Sequence, residues 1–377
     1  MRIGLVYDAV FPYVKGGAER RYHEIAKRLA RRHEVHVFGM KYWPGPAVKT
    51  DGTGIILHGV CVARDLYVRG KRTISQPLYF AGSLLPHLFD EKLDVVDCAS
   101  FPYFPMFTCK LYAVRRQVPL VATWLEYWGD YWFDYIGWRG AFGKLIERVA
   151  SRLPDRMVAI SALTRDALLD TGLDKARVAV IPPGIDLEDV EHAKMSGCSS
   201  DVIFVGRLVD SKGVDTLIRA VAALAQRGRK LKCCVVGTGP AEEHLKLLVR
   251  QLGLQGQVLF ASPHEPEQVF GLMKASKVLV LPSRREGFGI VLLEASACGL
   301  PLITVDSRNN AGREMIENGA NGYVCGDDVE SLGSTIARVL GDERHRQEMG
   351  AEARRRAQGY SWDRIAEQVE SVYMDLA

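Results

Sequence analysis

Four charged residues in this chain of 377 amino acids stand where they could handle a charged leaving group: Arg207, Lys212, Glu286 and Glu294. Glu286 follows an apolar run, in Ser283-Arg284-Arg285-Glu286-Gly287-Phe288-Gly289, and Glu294 lies on the helix expected to continue to about Ala297. The amides of Gly287, Phe288 and Gly289 precede that helix and are open to an anion. Glu286 is then free to face the reactive end of a ligand, and Glu294 to accept hydrogen bonds from ligand hydroxyls. The bland alternative is a carboxylate favouring a helix N-terminus and a second one on a wet face. Leu292, Leu293 and Ala295 argue against the wet face. Arg207 stands just past another apolar run and Lys212 at the start of the next helix. Together they match a diphosphate, Arg as a bidentate donor and Lys as a point charge; the alternative is a pair of solvated loop charges.

Two glycine turns sit in similar places. Gly16 and Gly17 precede Ala18-Glu19 after the first apolar run, where a backbone can approach a ligand; a plain tight loop reads the same way. Gly237-Thr238-Gly239-Pro240 begins like a dinucleotide fingerprint, but position 242 is Glu rather than the third glycine, so no nicotinamide site is expected there. A nucleotide-facing turn at Gly237 stays open.

These loops need elements to aim them. Apolar runs at 2–7, 34–39, 55–60, 94–97, 119–123, 156–160 and 177–181 read as buried strands, with amphipathic stretches such as 18–31 between most of them. Pro182-Pro183-Gly184 stops this pattern, and it restarts with strands at 201–205, 231–236, 257–260, 278–281 and 302–305 and a helix at 213–227. The fold class is α/β, with two tandem Rossmann-like domains. The boundaries expected are an N-terminal domain over 1–185, a linker over 186–200, a C-terminal domain over 201–360 and a last helix within 361–377. All four glycine or charge motifs then fall in strand-to-helix loops, where open α/β sheets bind ligands.

Composition narrows the class. Hydrophobic residues make up 47% and charged residues 25%, which excludes a disordered or collagen-like chain. The net charge of +4 is too small to argue for nucleic acid. The eight cysteines are scattered without zinc spacing, so reduced thiols and no metal site are expected. No apolar window is long enough for a transmembrane helix, and Met1-Arg2-Ile3-Gly4 does not open a signal peptide. A cytoplasmic protein is expected.

The run Arg285-Glu286-Gly287-Phe288-Gly289-Ile290-Val291-Leu292-Leu293-Glu294-Ala295, with Gly206-Arg207 and Lys212-Gly213 upstream, resembles the family 4 retaining glycosyltransferases of GT-B fold. Gly16-Gly17-Ala18-Glu19 and Pro182-Pro183-Gly184-Ile185-Asp186 fit the same family. The resemblance runs from about residue 3 to 375 and is densest over 201–325. It implies two domains facing a deep cleft, the second holding a nucleoside-diphosphate sugar and the first an acceptor glycan or lipid-linked sugar. By the same resemblance Glu286, Arg207 and Lys212 are the catalytic set. Gly16, Gly17, Gly237, Gly287, Phe288, Gly289 and Glu294 hold the donor, Glu294 at the ribose. No cofactor and no metal are implied, the nucleotide sugar being a co-substrate, and the last helix returns to the first domain.

One position departs from the family. Relatives usually carry a histidine just after the strand at 119–123, near the donor sugar, and Leu125 stands there. Glu126 is adjacent but on the opposite side of an extended backbone. Leu125, Glu126 and Trp128 are the acceptor-side candidates. They begin an aromatic run of Trp124, Tyr127, Trp128, Tyr131, Trp132, Phe133, Tyr135 and Trp138, which suits sugar stacking, a membrane interface or a packed loop. Arg64, Arg69, Lys71 and Arg72 would suit a lipid phosphate or anionic membrane surface, or simply solvent. The main reading is a retaining transferase with peripheral membrane contact. Leu125 keeps open a catalytically silent homologue, and a GT-B nucleotide-sugar epimerase is the third reading.

Overall fold

The computed structural model describes residues 1–68, 71–262 and 265–376. The chain divides into two compact units, one of Met1–Gly184 with Trp362–Ala377 and one of Ile185–Ser361. Each is a parallel α/β sheet flanked by helices, the Rossmann-like pattern that the alternating runs predict.

The first unit holds β1 (Arg2–Val6), β2 (Glu34–Lys41), β3 (Val48–Thr50), β4 (Ile56–Val62), β5 (Tyr67–Val68), β6 (Lys71–Arg72), β7 (Val95–Ala99), β8 (Leu120–Trp124), β9 (Arg156–Ala159) and β10 (Val178–Val180). Eight of these form one sheet in the order β10-β9-β8-β7-β1-β2-β4-β3, and β5 pairs with β6. Only the edge strand β3 runs antiparallel within the eight-stranded sheet, to β4. β7 and β8 are buried along their whole length, as strands covered on both faces must be. One face buries Phe38, Phe80, Leu84 and Met106; the other buries Leu5, Ile25, Leu29 and Val35.

The helix Trp362–Met374 belongs to this second face. Trp362, Ile365, Val369 and Tyr373 recur at helical spacing and are buried, so this helix docks on the Gly17–Leu29 helix. The Tyr373 hydroxyl donates to Asp97 Oδ2 at 2.6 Å, and the Tyr22 hydroxyl to Asp97 Oδ1 at 3.1 Å. Arg31 and Asp363 pair at 3.0 Å along the rim.

The second unit holds β11 (Ser200–Val205), β12 (Cys233–Val236), β13 (Val258–Ala261), β14 (Ser276–Leu281), β15 (Arg285–Glu286), β16 (Leu302–Val305), β17 (Asn309–Asn310) and β18 (Gly322–Cys325). Its sheet order is β13-β12-β11-β14-β16-β18, with β15 and β17 paired beside it. Within 186–200, where a polar linker is expected, Leu187–His192 forms a helix. Asp186 caps it, accepting from the amide of Glu188 at 3.2 Å. Six residues are too few to show a period, which is why the pattern there reads as linker.

In both sheets the strand order reverses once beside the first strand, between β1 and β7 and between β11 and β14. Loops leaving the carboxyl ends of the strands at such a switch point diverge to opposite faces and open a crevice. In the second unit those loops are 206–213 and 282–289, which carry Arg207, Lys212 and Glu286.

Candidate active site

The two switch-point loops of the second unit are tied together. Backbone N–H of Arg284 donates to the carbonyl of Ser211 at 2.9 Å. Lys212 Nζ donates to Glu286 Oε1 in an ion pair bridging 74 residues of sequence. Both side chains are largely sheltered, 21% exposed for Lys212 and 11% for Glu286. Glu286 is held from behind. Its strand β15 pairs with β17, Glu286 opposite Asn310. Asn310 is fully buried and donates from Nδ2 to Thr304 Oγ1 at 3.0 Å and to the carbonyl of Val305 at 2.9 Å. The side chain of Ser283, buried at the same point, leaves its Oγ without a partner among the described residues.

Gly287, Phe288 and Gly289 follow as the turn into the Ile290–Ala297 helix. Gly289 lies at φ 84°, the left-handed region where glycine carries no Cβ penalty. Phe288 is buried, its ring 6.2 Å from that of Tyr360. Glu294 is half-buried one turn and a half further along this helix. Arg207 is exposed in the loop after β11.

Gly237, after β12, is where the backbone itself becomes the constraint. A Cβ there would lie 1.9 Å from the carbonyl oxygen of Gly206. The β11 and β12 loops are zipped together at this point, Leu208 N–H donating to the Thr238 carbonyl at 2.9 Å. So Gly237 sets the path of the segment carrying Arg207. The second unit therefore gathers Arg207, Lys212, Gly237, Glu286, Gly287, Phe288, Gly289 and Glu294 at the carboxyl edge of one sheet.

The remaining candidates lie in the first unit. Gly16 and Gly17 are exposed at the start of the Gly17–Leu29 helix, after β1. Glu19 turns inward: the Tyr7 hydroxyl donates to its Oε1 at 3.2 Å, and burial raises its carboxyl pKa above the ordinary range. Beside it Asp8, fully buried, pairs with Arg72 and accepts from Gln76 Nε2 at 2.9 Å. Asp8 Oδ1 and the buried Ser100 Oγ have no partner among the described residues. This polar group occupies the switch point between β1 and β7, and sequence reading misses it. The signal available was position alone: Asp8 and Ser100 are polar residues just past apolar strands.

The expectation of an exposed basic cluster does not hold for Arg72, whose side chain is 6% exposed because it compensates Asp8. The Arg64 guanidinium lies 3.6 Å from the Tyr79 ring centroid. Arg69 lies outside the described residues.

Leu125 follows the buried Trp124 and is half-buried. Glu126 Oε2 accepts from Trp128 Nε1 at 3.1 Å. The aromatic run is largely packed. Trp128 lies 5.1 Å from Phe101 and 4.7 Å from Trp132, ring centre to ring centre. The anchor is Glu147, fully buried, another residue that sequence reading misses. It accepts from the amides of Trp128 at 2.7 Å and Gly129 at 2.8 Å and from the Tyr103 hydroxyl at 2.5 Å. Burial raises its carboxyl pKa, and these bonds oppose the rise. Trp138 remains 81% exposed.

Residues 15–189 match the family described as Glycosyltransferase Family 4, and residues 195–356 match Glycosyl transferases group 1. The chain belongs to the group 1, family 4 glycosyltransferases. Among curated relatives of this family, the D-inositol 3-phosphate glycosyltransferase of Kineococcus radiotolerans is 33% identical over 260 residues, 61% of this chain and 60% of that one. The protein of the same name from Nocardia farcinica is 32% identical over 232 residues, 56% of this chain and 51% of its own length. The matched part thus spans about half to three-fifths of these relatives. Solved structures agree on the GT-B fold. Sucrose-phosphate synthase from Thermosynechococcus elongatus has a TM-score of 0.81 at 20% identity, covering 100% of this chain and 98% of that one. Anabaena Alr3699/HepE in complex with UDP and glucose has a TM-score of 0.77 at 20% identity, with both chains fully covered.

Proposed function

We propose that this family 4 member is a retaining glycosyltransferase that moves a sugar from a nucleoside-diphosphate sugar to a glycan or lipid-linked acceptor, without a metal ion or cofactor. The observation that carries this reading is the Lys212–Glu286 pair at the switch point of the second unit. An ammonium held ready against a carboxylate is a cation whose partner can be exchanged. A donor diphosphate takes Lys212, and the released Glu286 accepts hydrogen bonds from the donor sugar. Arg207, in the same loop as Lys212, adds a second cation, and the Gly287–Gly289 amides add dipoles pointing at developing negative charge.

Glu294 accepts from the ribose, and by the family resemblance Gly16 and Gly17 are further donor-binding candidates. The sugar acquires oxocarbenium character as its bond to phosphate lengthens. The acceptor hydroxyl attacks on the face the diphosphate leaves, and the departing phosphate oxygen takes the hydroxyl proton. The new glycosidic bond has the configuration of the donor, and no protein nucleophile is used. By the same resemblance Leu125, Glu126 and Trp128 are the acceptor-side candidates. The UDP, glucose and UDP-glucose complexes named for the Anabaena neighbour make UDP-glucose the first donor to try.

The lipid-linked acceptor and peripheral membrane contact are supported by the Gly140–Ala150 helix. Its buried face carries Gly140, Gly143, Glu147 and Ala150, while Phe142, Leu145 and Val149 are 65%, 58% and 43% exposed. Trp138 precedes it, and Arg139, Lys144 and Arg148 flank the apolar stripe. No helix among the described residues is long and apolar enough to cross a membrane, so such contact is interfacial.

The test is a thermal-shift panel with UDP, GDP and ADP, with and without magnesium, on wild type and Lys212→Ala. Ligand at about 100 times its dissociation constant adds roughly 2.7 kcal/mol to folded-state stability. One nucleotide stabilising wild type without magnesium, and not the variant, is expected. It is followed by donor-sugar turnover and the anomeric configuration of the product. No stabilisation by any nucleotide would favour the silent homologue that Leu125 suggests. Isomerisation of the donor with no acceptor present would favour the epimerase.

A further inference from the structure

A second cluster of chemistry-bearing side chains lies in the first unit at the amino-terminal edge of its sheet, away from the loops discussed above. His36 is the third residue of β2 and His58 the third of β4. The strands are parallel neighbours with Phe38 opposite His58, so both imidazoles emerge on one face, two positions apart along the ladder. Glu91 reaches them from the turn between the Ser75–Phe89 helix and β7. His36 and His58 are 2% and 3% exposed, and the Glu91 side chain is 22% exposed.

The three groups offer one ligand atom each, all within 4.8 Å of one another. His36 Nδ1 and His58 Nε2 are 2.9 Å apart. Glu91 Oε1 is 4.0 Å from His58 Nε2, and Glu91 Oε2 is 3.9 Å from His36 Nδ1. Ligands about 2.0–2.1 Å from one tetrahedral ion are separated by roughly 3.3 Å, so shifts of a few tenths of an ångström seat an ion between them. The outer side is also organised. His36 Nε2 lies 2.9 Å from Glu34 Oε1, a carboxylate placed to accept from Nε2–H; in that tautomer Nδ1, which faces His58, carries the lone pair that a metal needs. Arg2 holds the outside, with Nη2 donating to Glu91 Oε2 at 2.8 Å and Nε to Glu34 Oε1 at 2.8 Å. Arg2 Nη2 also lies 3.4 Å from His36 Nε2, the nitrogen that faces away from the cluster centre. Glu91 Oε1 is then the oxygen left for the ion, while Oε2 stays with Arg2.

We infer that His36, His58 and Glu91 form a divalent-metal site, best suited to zinc, with the fourth position taken by water. Two imidazole nitrogens and one carboxylate oxygen make a mixed nitrogen and oxygen set that zinc accepts in tetrahedral geometry. The ion would clamp β2, β4 and the turn before β7, three segments separated by 22 and 33 residues of chain. It lies at the opposite edge of the sheet from the strand carboxyl ends, so its work is to stiffen the first unit and not to assist transfer. The inference is independent of the donor reading.

The experiment uses the whole chain stripped with EDTA. Zinc titration by calorimetry is expected to give one equivalent and a raised melting temperature. Cobalt(II) should give the intense visible bands of a tetrahedral ion without a near-ultraviolet thiolate band. Glu91→Gln, at a partly exposed position, should fold normally and lower zinc affinity at least tenfold; His58→Asn should abolish the cobalt spectrum. Nucleotide stabilisation by the panel above should be the same with and without zinc. Absence of saturable zinc binding to wild type overturns the site, as does affinity unchanged in Glu91→Gln. A thiolate band would assign the ion to cysteines, of which Cys198 is exposed, and overturns it equally. Should His58→Asn fail to fold, Glu91→Gln and the wild-type cobalt spectrum still decide.

Discussion

Replacing Glu286 with Gln should tighten nucleoside-diphosphate binding while it suppresses transfer. In the unliganded protein Lys212 is occupied by Glu286, both side chains being mostly but not wholly sheltered. A diphosphate must break that pair before it can use the ammonium. A partly exposed ion pair contributes up to about 1 kcal/mol. Removing the carboxylate returns that amount to the ligand, about a fivefold lower dissociation constant. Lys212→Ala acts in the opposite direction. It deletes a charge-assisted hydrogen bond to phosphate, worth about 1.5–3 kcal/mol, and so weakens diphosphate binding about 10- to 150-fold. The two variants therefore move affinity apart, although both lower turnover. Calorimetry with the nucleotide identified by thermal shift, at two salt concentrations, measures both. Lys212→Ala should also flatten the salt dependence, because the ligand meets one cation fewer. If Glu286→Gln weakens binding as much as Lys212→Ala, then the pair acts as a unit on the ligand and the exchange of partners is refuted.

Other variants test the supporting structure. Gly237→Ala forces a Cβ against the Gly206 carbonyl at a φ of 138°, and should destabilise the second unit by about 2–4 kcal/mol in urea melts. A loss under about 0.5 kcal/mol would mean the two loops are not zipped. Tyr373→Phe removes the 2.6 Å bond to Asp97 and should cost about 1.5–3 kcal/mol of first-unit stability, with the second unit unchanged. Burial raises the Asp97 pKa, so the unfolded chain loses this proton at lower pH than the folded one. Its contribution to stability therefore falls as pH rises above the ordinary aspartate value of about 3.9. The stability gap between wild type and Asp97→Asn should narrow from pH 4 to pH 7; a widening gap gives the wrong sign and refutes the assignment. Phe142→Asp with Leu145→Asp should release the protein from anionic vesicles in flotation while leaving soluble-acceptor transfer intact.

The strand-to-helix loops that carry Arg207, Lys212 and Glu286 were readable because their cues are local. A strand, a short charged loop and a helix start stand within a dozen residues of each other, and the parallel order does the rest. What sequence left obscure is whatever depends on a distant partner. Asp8 and Arg72 cancel each other inside the first unit, yet 64 residues apart neither announces the other. The Gly140–Ala150 helix inverts the usual rule. Its periodic apolar residues predict a core face, but small Gly140 and Gly143 allow close approach to Trp132, and Glu147 is drawn inward by two backbone amides. Periodicity reports that two faces differ and is silent on which one faces protein. The Leu187–His192 helix was missed for its length, although Asp186 supplies an N-cap side chain two residues ahead of a first-turn amide.

The return of Trp362–Met374 to the first unit bears on synthesis order. The second unit is one uninterrupted stretch, 185–361, closed by Ile185 N–H donating to the Tyr360 carbonyl at 2.8 Å. It has all its parts as soon as Ser361 clears the ribosome. The first unit, begun earlier, still lacks the helix that covers Trp362, Ile365 and Tyr373 against its sheet. Until then Asp97 lacks the Tyr373 hydroxyl, and the apolar face that includes Leu5 and Ile25 lacks the cover of Trp362, Ile365 and Val369. The half of the chain made first is thus the half that finishes last, and it is the one that needs shielding while translation continues.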